Sequence, residues 1–130
     1  MARPEVAPLL ERQYTDAETT NLRHAVGDDS PVLSVADFSP GPWWGFNGVQ
    51  TLVLTKGHLF VVQGGHALTS GRLRRSFPTS NIAKLEWRIG RHRRREAVHM
   101  TLEVGRRKRH YTSKYRQAAD LAQQLTGLVD

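Results

Sequence analysis

The stretch IGRHRRREAVHMTLEVGRRKRH, residues 89–110, decides the fold of this chain. Its middle part, residues 96–104, alternates apolar and polar side chains between two clusters of basic residues. Successive side chains of an extended strand point to opposite faces, so this alternation is typical of a strand with one buried face. The two basic clusters are then expected in the turns at the ends of that strand.

The segment before this strand can be paired with it in one antiparallel register. If paired residue numbers sum to 187, Trp87 faces Met100 on one side of the hairpin and Lys84 faces Glu103 on the other. A slip of one residue would destroy both the apolar and the charged pairs, so the pattern specifies the register. Residues 92–95 are left as the connecting turn.

A second register joins the strand to the segment after it. Pairs that sum to 213 place Leu102 opposite Tyr111 and leave residues 105–108 as the next turn. The sequence therefore predicts a three-stranded antiparallel meander that buries Trp87 and Met100 together and places arginines at its bends.

Outside this meander, hydrophobic periodicity, together with the Gly and Pro residues that mark turns, predicts four further strands and two helices. Thr15 can cap a short helix that ends at Gly27, and Thr112 or Ser113 can cap a terminal helix with an apolar stripe. The predicted strands are residues 32–38, 49–55, 58–63, 72–77, 82–90, 96–104 and 107–112, the first helix is 15–26, and the terminal stripe runs from 115 to 128.

The fold class that follows is mainly β with α: about seven antiparallel strands closed by a C-terminal helix, with a short N-terminal helix. A chain of 130 residues suits one domain with one core. Residues 1–14 are expected to be a tail or a short helix because Pro4 and Pro8 interrupt any regular element. We assign residues 15–130 to the single domain.

Several classes of function are disfavoured by composition and motifs. The chain has no cysteine, which removes disulfides, thiolate metal sites and cysteine nucleophiles. None of its six histidines has the spacing of a metal motif, and no nucleophile elbow or phosphate-cradling loop occurs. No apolar run approaches the roughly 20 residues that span a bilayer. We expect a cytoplasmic protein that is not an enzyme and has no metal or cofactor.

The positive charge is concentrated in one part of the chain. Residues 84–110 carry ten Lys or Arg residues against three Glu, whereas residues 1–50 carry three Arg against seven acidic residues. Such polarity suits an anionic partner, whether nucleic acid, anionic lipid or the acidic face of a protein. The alternative is that the basic clusters are solvated turns, enriched in arginine by the composition of the whole chain.

Five segments together resemble a known family. They are TLVLTKGHLFVV (51–62), RRSFP (74–78), NIAKLEW (81–87), VHMTLEVG (98–105) and QAADLAQQL (117–125). In their order and apolar spacing they resemble a bacterial pleckstrin-homology-like domain, of the broader group that includes the GRAM domains. The resemblance implies a barrel or sandwich of seven strands closed by a C-terminal helix, and a binding or scaffolding role without catalysis.

The resemblance also implies a position for the binding site. In members of the family that bind phosphoinositides, three loops, here 39–48, 64–71 and 105–108, meet at one open end of the barrel. This would place aromatic residues of the first loop beside cations of the third. The candidate residues for an anionic partner are Arg72, Arg74, Arg93, Arg94, Arg95, Arg106, Arg107 and Lys108, and the candidate interface aromatics are Trp43, Trp44 and Phe46.

The function we infer from the sequence is that of a basic interaction module. An acidic protein partner or self-association ranks first, and an anionic phospholipid surface, with the protein peripheral to the membrane, ranks second. Nucleic acid ranks third, because no helix has the character of a groove-entering recognition helix and no aromatic RNA-binding motif is present. The aromatic loop fits either burial against the barrel or exposure at an interface.

Overall fold

The computed structural model describes residues 5–27, 30–44, 48–63 and 73–129, without the side chain of Arg74. All ranges below refer to these residues. The elements are α1 (Asp16–Val26), β1 (Ser34–Pro40), β2 (Gln50–Leu54), β3 (His58–Gln63), β4 (Leu73–Pro78), a 3₁₀ turn (Thr79–Asn81), β5 (Ile82–His92), β6 (Arg95–Val104), β7 (Arg107–Ser113) and α2 (Arg116–Val129).

The seven strands form one antiparallel sheet in the order β4-β3-β2-β1-β7-β6-β5. Strand β1 joins its two halves, because residues 34–38 pair with β2 and the last two residues pair with β7. The sheet curls into a half-barrel, and helix α2 packs across its concave side against β1, β5 and β6. This confirms the predicted fold class of seven antiparallel strands with a terminal helix and a short N-terminal helix.

The two halves of the sheet differ in what covers their outer faces. Under α2, the inner faces of both halves form one core that includes Phe38, Leu52 and Met100. On the outer face of β2 and β3, Val53 and Phe60 pack against Leu22 of α1. Strands β2 and β3 are therefore buried on both sides, which explains their continuous apolar runs. The meander of β5 to β7 has no helix on its outer face, and its sequence alternates.

The predicted register of β5 with β6 is confirmed from Lys84↔Glu103 to Arg91↔Glu96, with Trp87 opposite Met100. Met100 is buried, and Trp87 is half-buried with its ring packed against the core. The turn is shorter than predicted, because His92 and Arg95 still pair across the strands. It consists of Arg93 and Arg94 alone. Lys84 forms its ion pair with Glu86 of its own strand, at 3.0 Å.

The predicted register of β6 with β7 is wrong by two residues. Tyr111 lies opposite Met100 instead of Leu102, and Val104 pairs with Arg107. The connecting turn is therefore Gly105 and Arg106, not residues 105–108. Gly105 occupies the first central position of the turn with φ +63°, which permits a two-residue turn. Strand pairing therefore begins at Val104 and Arg107. A shift of two residues preserves which side chains face the core, which is why the apolar pattern could not reveal the error.

Element ends show smaller differences. Strand β1 runs to Pro40, two residues into the segment expected to be loop. Thr112 and Ser113 lie in β7 instead of capping α2, although the Ser113 hydroxyl accepts a hydrogen bond of 3.1 Å from the Tyr115 N–H just before the helix. Helix α1 begins as predicted, with a capping box between Thr15 and Glu18, and ends at Gly27.

Residues 5–14, expected to be a tail or a short helix, lie extended along the molecule, and we call them the strap. Ala7 forms a parallel bridge with Arg95, and Leu10 forms another with Tyr115. Leu9 packs against the main core. The backbone of Arg12 is held by both polar ends of the Gln117 amide, at 3.1 and 2.6 Å. The strap therefore joins the start of β6 to the start of α2.

The strap is fixed at its C-terminal half by a buried carboxylate. Asp37 of β1 is 2% exposed and accepts hydrogen bonds from Arg12 Nε at 2.9 Å, Tyr14 Oη at 2.8 Å and Thr51 Oγ1 at 2.7 Å. Arg12 also forms an ion pair with Glu18 of α1. A buried charge is tolerated when it is paired and its remaining lone pairs are satisfied, and both conditions hold here.

We expect Asp37→Asn to lower the free energy of unfolding by about 3 kcal/mol, because the guanidinium of Arg12 loses its buried counter-ion. Urea denaturation followed by tryptophan fluorescence measures the change. Glu11→Gln is the matched control, since Glu11 is an exposed residue of the strap, and its effect should stay within about 0.5 kcal/mol. Equal effects of the two substitutions would contradict this role of Asp37.

All three tyrosines of the chain should titrate above the ordinary tyrosine range. Burial raises the pKa of Tyr14, Tyr111 and Tyr115, and the nearby Asp37 carboxylate raises that of Tyr14 further. The folded state thus favours the neutral phenols, so stability is complete below pH about 10 and is lost as pH rises through the raised values. Absorbance at 295 nm measures the ionisation, and a transition centred near pH 10 in the folded protein would contradict the burial of these side chains.

Candidate functional site

A cleft of about 920 Å³ lies at one end of the meander. One wall is formed by residues 92–97, which are the turn between β5 and β6 and the strand residues beside it. The strap contributes Glu5 and Ala7, the loop after β1 contributes Trp43 and Trp44, and Lys114 lies between β7 and α2. The cleft thus combines four parts of the chain that are distant in sequence.

Two indole rings form its aromatic wall. Trp43 is 55% exposed and meets the His92 ring edge-on, with centroids 5.3 Å apart. Trp44 is half-buried and meets Tyr115 edge-on at 5.4 Å, with the Lys114 ammonium 5.2 Å from its ring centroid. The two predicted outcomes for the aromatic loop are therefore divided between neighbouring residues. Trp44 packs against Tyr115, and Trp43 is exposed at the wall of the cleft.

The rim at the turn between β5 and β6 is cationic. Arg93 and Arg94 are exposed at the turn, and Arg95 is half-buried where β6 begins. Arg93 has φ +57°. Among the described residues, it is the only one other than glycine with a positive φ. Its carbonyl oxygen accepts a hydrogen bond of 3.0 Å from Arg91 Nε. Gly105 holds the corresponding position of the next hairpin, so a glycine would satisfy this turn without strain.

The cleft also contains carboxylates and backbone polar groups. Glu5 and Glu96 line it, and within the described residues neither forms an ion pair. Arg95 Nη1 donates to the carbonyl oxygen of Pro8 at 2.9 Å, so this arginine is already used to hold the strap. The cations with free guanidinium groups at the rim are therefore those of Arg93 and Arg94.

A second cavity, of about 280 Å³, lies on the outer face of the meander beneath Pro42. It is lined by His99 and His110, and the Nδ1 atom of His110 lies 3.0 Å from the Thr101 hydroxyl. Burial, together with the positive charge of Arg88, lowers the pKa of His99, so this imidazole is neutral at pH 7. Glu86 also lines this cavity, and its carboxylate forms an ion pair of 3.0 Å with Lys84.

The predicted cations Arg106, Arg107 and Lys108 lie elsewhere. Successive turns of an antiparallel meander alternate between its two ends, so the turn at Gly105 and Arg106 lies at the far end of β6. Ten residues of strand separate the two ends by about 30 Å. Contrary to the expectation from the resemblance, Trp43 and Trp44 thus lie beside Arg93 and Arg94 and far from Arg106, Arg107 and Lys108.

The cations of the far turn are exposed and differ in their neighbours. Lys108 lies opposite Glu103 in the ladder. Arg106 and Arg107 extend into solvent. Two further candidates, Arg72 and Phe46, lie outside the described residues, and Arg74 is described only as a backbone position in β4.

Sequence reasoning missed four residues that build or support the cleft. His92 and Lys114 contact the two tryptophans, while Arg12 and Asp37 fix the strap. One signal was available for Asp37, a lone carboxylate in an otherwise apolar strand. No local signal marks Arg12 or Lys114, because their roles depend on contacts with residues 25 and 70 positions away.

Comparison with known proteins gives no family: no protein-family model matches the chain, and no curated protein matches it. In the described part of the chain, no helix has both the length and the apolar character to cross a membrane. The same residues contain no group of three or more His, Asp or Glu side chains placed to hold a metal ion.

We expect Arg93→Gly to leave the free energy of unfolding unchanged or to raise it by up to about 1 kcal/mol, because glycine adopts positive φ without the side-chain clash. The neighbouring Arg94→Gly should lose about 0.5–1 kcal/mol, since Arg94 has no positive φ to relieve. Urea denaturation of both variants gives the comparison. A larger loss for Arg93→Gly than for Arg94→Gly would contradict the strained turn.

Proposed function

We propose that this chain is a non-catalytic binding module of pleckstrin-homology-like architecture, and that its cleft binds an acidic segment of a partner protein. The architecture is supported by the seven antiparallel strands and the terminal helix, which agree with what the resemblance implies. The observation that carries the binding proposal is the exposed Trp43 facing the cleft beside the two free guanidinium groups of Arg93 and Arg94.

The chemistry of the cleft suits a segment with both acidic and apolar side chains. Arginine and tryptophan are the side chains most enriched where protein partners bind tightly, because a guanidinium pairs with a carboxylate in bidentate geometry and an indole offers a large rigid surface. The strained turn supports the same conclusion, since an arginine occupies a position where glycine costs less. Electrostatic attraction by the basic meander would accelerate the encounter.

A protein partner fits the site better than a membrane or a nucleic acid. Both indoles line a cleft, and Glu5 and Glu96 share that cleft with the cations. Two carboxylates would repel a surface dense in phosphates, whereas they leave room for single carboxylates of a peptide. The two arginine-rich turns lie about 30 Å apart at opposite ends of β6, so they do not form one continuous basic face.

The test uses a short fluorescent peptide of alternating glutamate and valine, with its lysine–valine counterpart as the control ligand. Fluorescence anisotropy should show binding of the acidic peptide alone. Replacing Trp43 and Arg94 together by alanine should weaken that binding at least about tenfold. Arg106→Ala with Arg107→Ala, a variant with two charges removed at the far turn, should change the Kd less than about twofold, because only long-range attraction is reduced.

Other outcomes separate the alternatives. If the acidic peptide fails to bind while vesicles of phosphatidylserine and phosphatidylcholine do, the partner is an anionic membrane and the proposal is wrong. An equal loss of peptide affinity in the Trp43/Arg94 variant and in the far-turn variant would show that net charge, and not the cleft, controls the interaction. A light-scattering mass of a dimer that is abolished by the Trp43/Arg94 variant would identify the acidic segment as that of a second copy of this chain.

A further inference from the structure

Residues 95–97 of β6 line the cleft, and they are not paired with β7. Strand β7 ends at Ser113, opposite Val98, so residues 95–97 extend beyond its last pair. The strap occupies this edge: the Ala7 N–H donates to the Arg94 carbonyl oxygen at 2.9 Å, and the Glu96 N–H donates to the Ala7 carbonyl oxygen at 2.9 Å. The cleft therefore contains a strand edge that is filled by the chain's own N-terminal segment.

The two halves of the strap are held with different strength. In residues 9–14, Leu9 packs in the core, the Leu10 backbone bonds Lys114 and Arg116, and Arg12 is paired with the buried Asp37. In residues 5–8, the side chains of Glu5, Val6 and Pro8 are exposed. Those residues are held by the two backbone bonds of Ala7 and by the single contact of Arg95 with Pro8.

The strap also resembles the ligand that the cleft is expected to bind. Glu5 and Ala7 line the cleft with the rim arginines, and in this segment the acidic Glu5 is followed by apolar residues. It supplies an extended backbone to β6 and a carboxylate to the cleft. An external segment of the same character could make the same backbone bonds and bring further carboxylates to Arg93 and Arg94.

We propose that the β6 edge at residues 94–96 is a strand-addition site for an extended acidic–apolar segment of a partner protein, which displaces residues 5–8 of the strap while residues 9–14 stay anchored. This inference rests on the proposed function, because it names how the acidic partner binds in the same cleft. The strap then competes with the partner for this edge. The apparent affinity for the partner is the intrinsic affinity multiplied by the fraction of molecules in which the edge is open.

A matched pair of proline substitutions in the full chain tests the competition. Ala7→Pro removes the N–H that donates to Arg94, whereas Val6→Pro removes an N–H that bonds no other backbone group of the described chain. Loss of one backbone bond should tighten binding of the glutamate–valine peptide about 5- to 10-fold for Ala7→Pro. Val6→Pro should stay within about twofold of the unsubstituted chain.

A reversible lock provides the second measurement and does not depend on how well the proline variants fold. The natural chain has no cysteine, so Ala7→Cys with Arg95→Cys places one pair at two residues that face each other in the bridge. The oxidised form should bind the peptide at least about tenfold more weakly than the same protein after reduction. Using one variant in two redox states cancels the loss of the Arg95 charge.

The outcomes distinguish this inference from the proposed function. If the unsubstituted chain binds the peptide through Trp43 and Arg94, but Ala7→Pro does not tighten binding or oxidation does not weaken it, the strap is not a competitor and strand addition is wrong while the proposed function stands. If neither the unsubstituted chain nor Ala7→Pro binds the acidic peptide, both are wrong. A peptide with proline at its centre should bind more weakly, since it cannot complete the backbone ladder.

Discussion

The buried carboxylate of Asp37 is the constraint on which the arrangement of this molecule depends. One side chain in the middle of the sheet receives hydrogen bonds from Arg12 and Tyr14 of the strap and from Thr51 of β2. Its backbone carbonyl oxygen accepts another from the Ser113 hydroxyl at the end of β7. Because removing any partner of a buried charge is costly, the strap, both halves of the sheet and the start of the terminal helix are fixed relative to each other. The cleft exists because the strap passes between them.

Sheet geometry then determines which charges can cooperate. Each hairpin reverses the chain, so the two arginine-rich turns of the meander lie at opposite ends of β6. Only the turn with Arg93 and Arg94 lies beside the loop that carries Trp43. A sequence with one broad basic region thus becomes a structure with two separate basic ends, of which one has an aromatic wall and a strand edge. That difference is what gives the two ends different roles in our proposal.

Local patterns in the sequence predicted the parts of the fold that are determined locally. Alternation fixed the pairing of Trp87 with Met100, and capping residues placed α1, because each depends on neighbours within a few residues or on one hairpin. The shift between β6 and β7 escaped prediction, since a two-residue slip leaves the apolar face intact. The strap and Lys114 escaped it as well, because long-range contacts give no periodic signal. The fold class was predicted correctly, but Trp43 and Trp44 were expected beside the wrong turn, because the position of Trp44 depends on its packing against Tyr115.

Amide hydrogen exchange along the strap, measured by NMR in the unsubstituted chain, tests most directly whether the Asp37 anchor divides it into a fixed and a releasable half. The account predicts that the Leu10 amide, bonded to Lys114 beside the anchored Arg12, is strongly protected. The Ala7 amide should be protected less, and the Val6 amide should exchange nearly as fast as in an unstructured peptide. Free exchange at Leu10, or equal strong protection at Ala7 and Leu10, would contradict it.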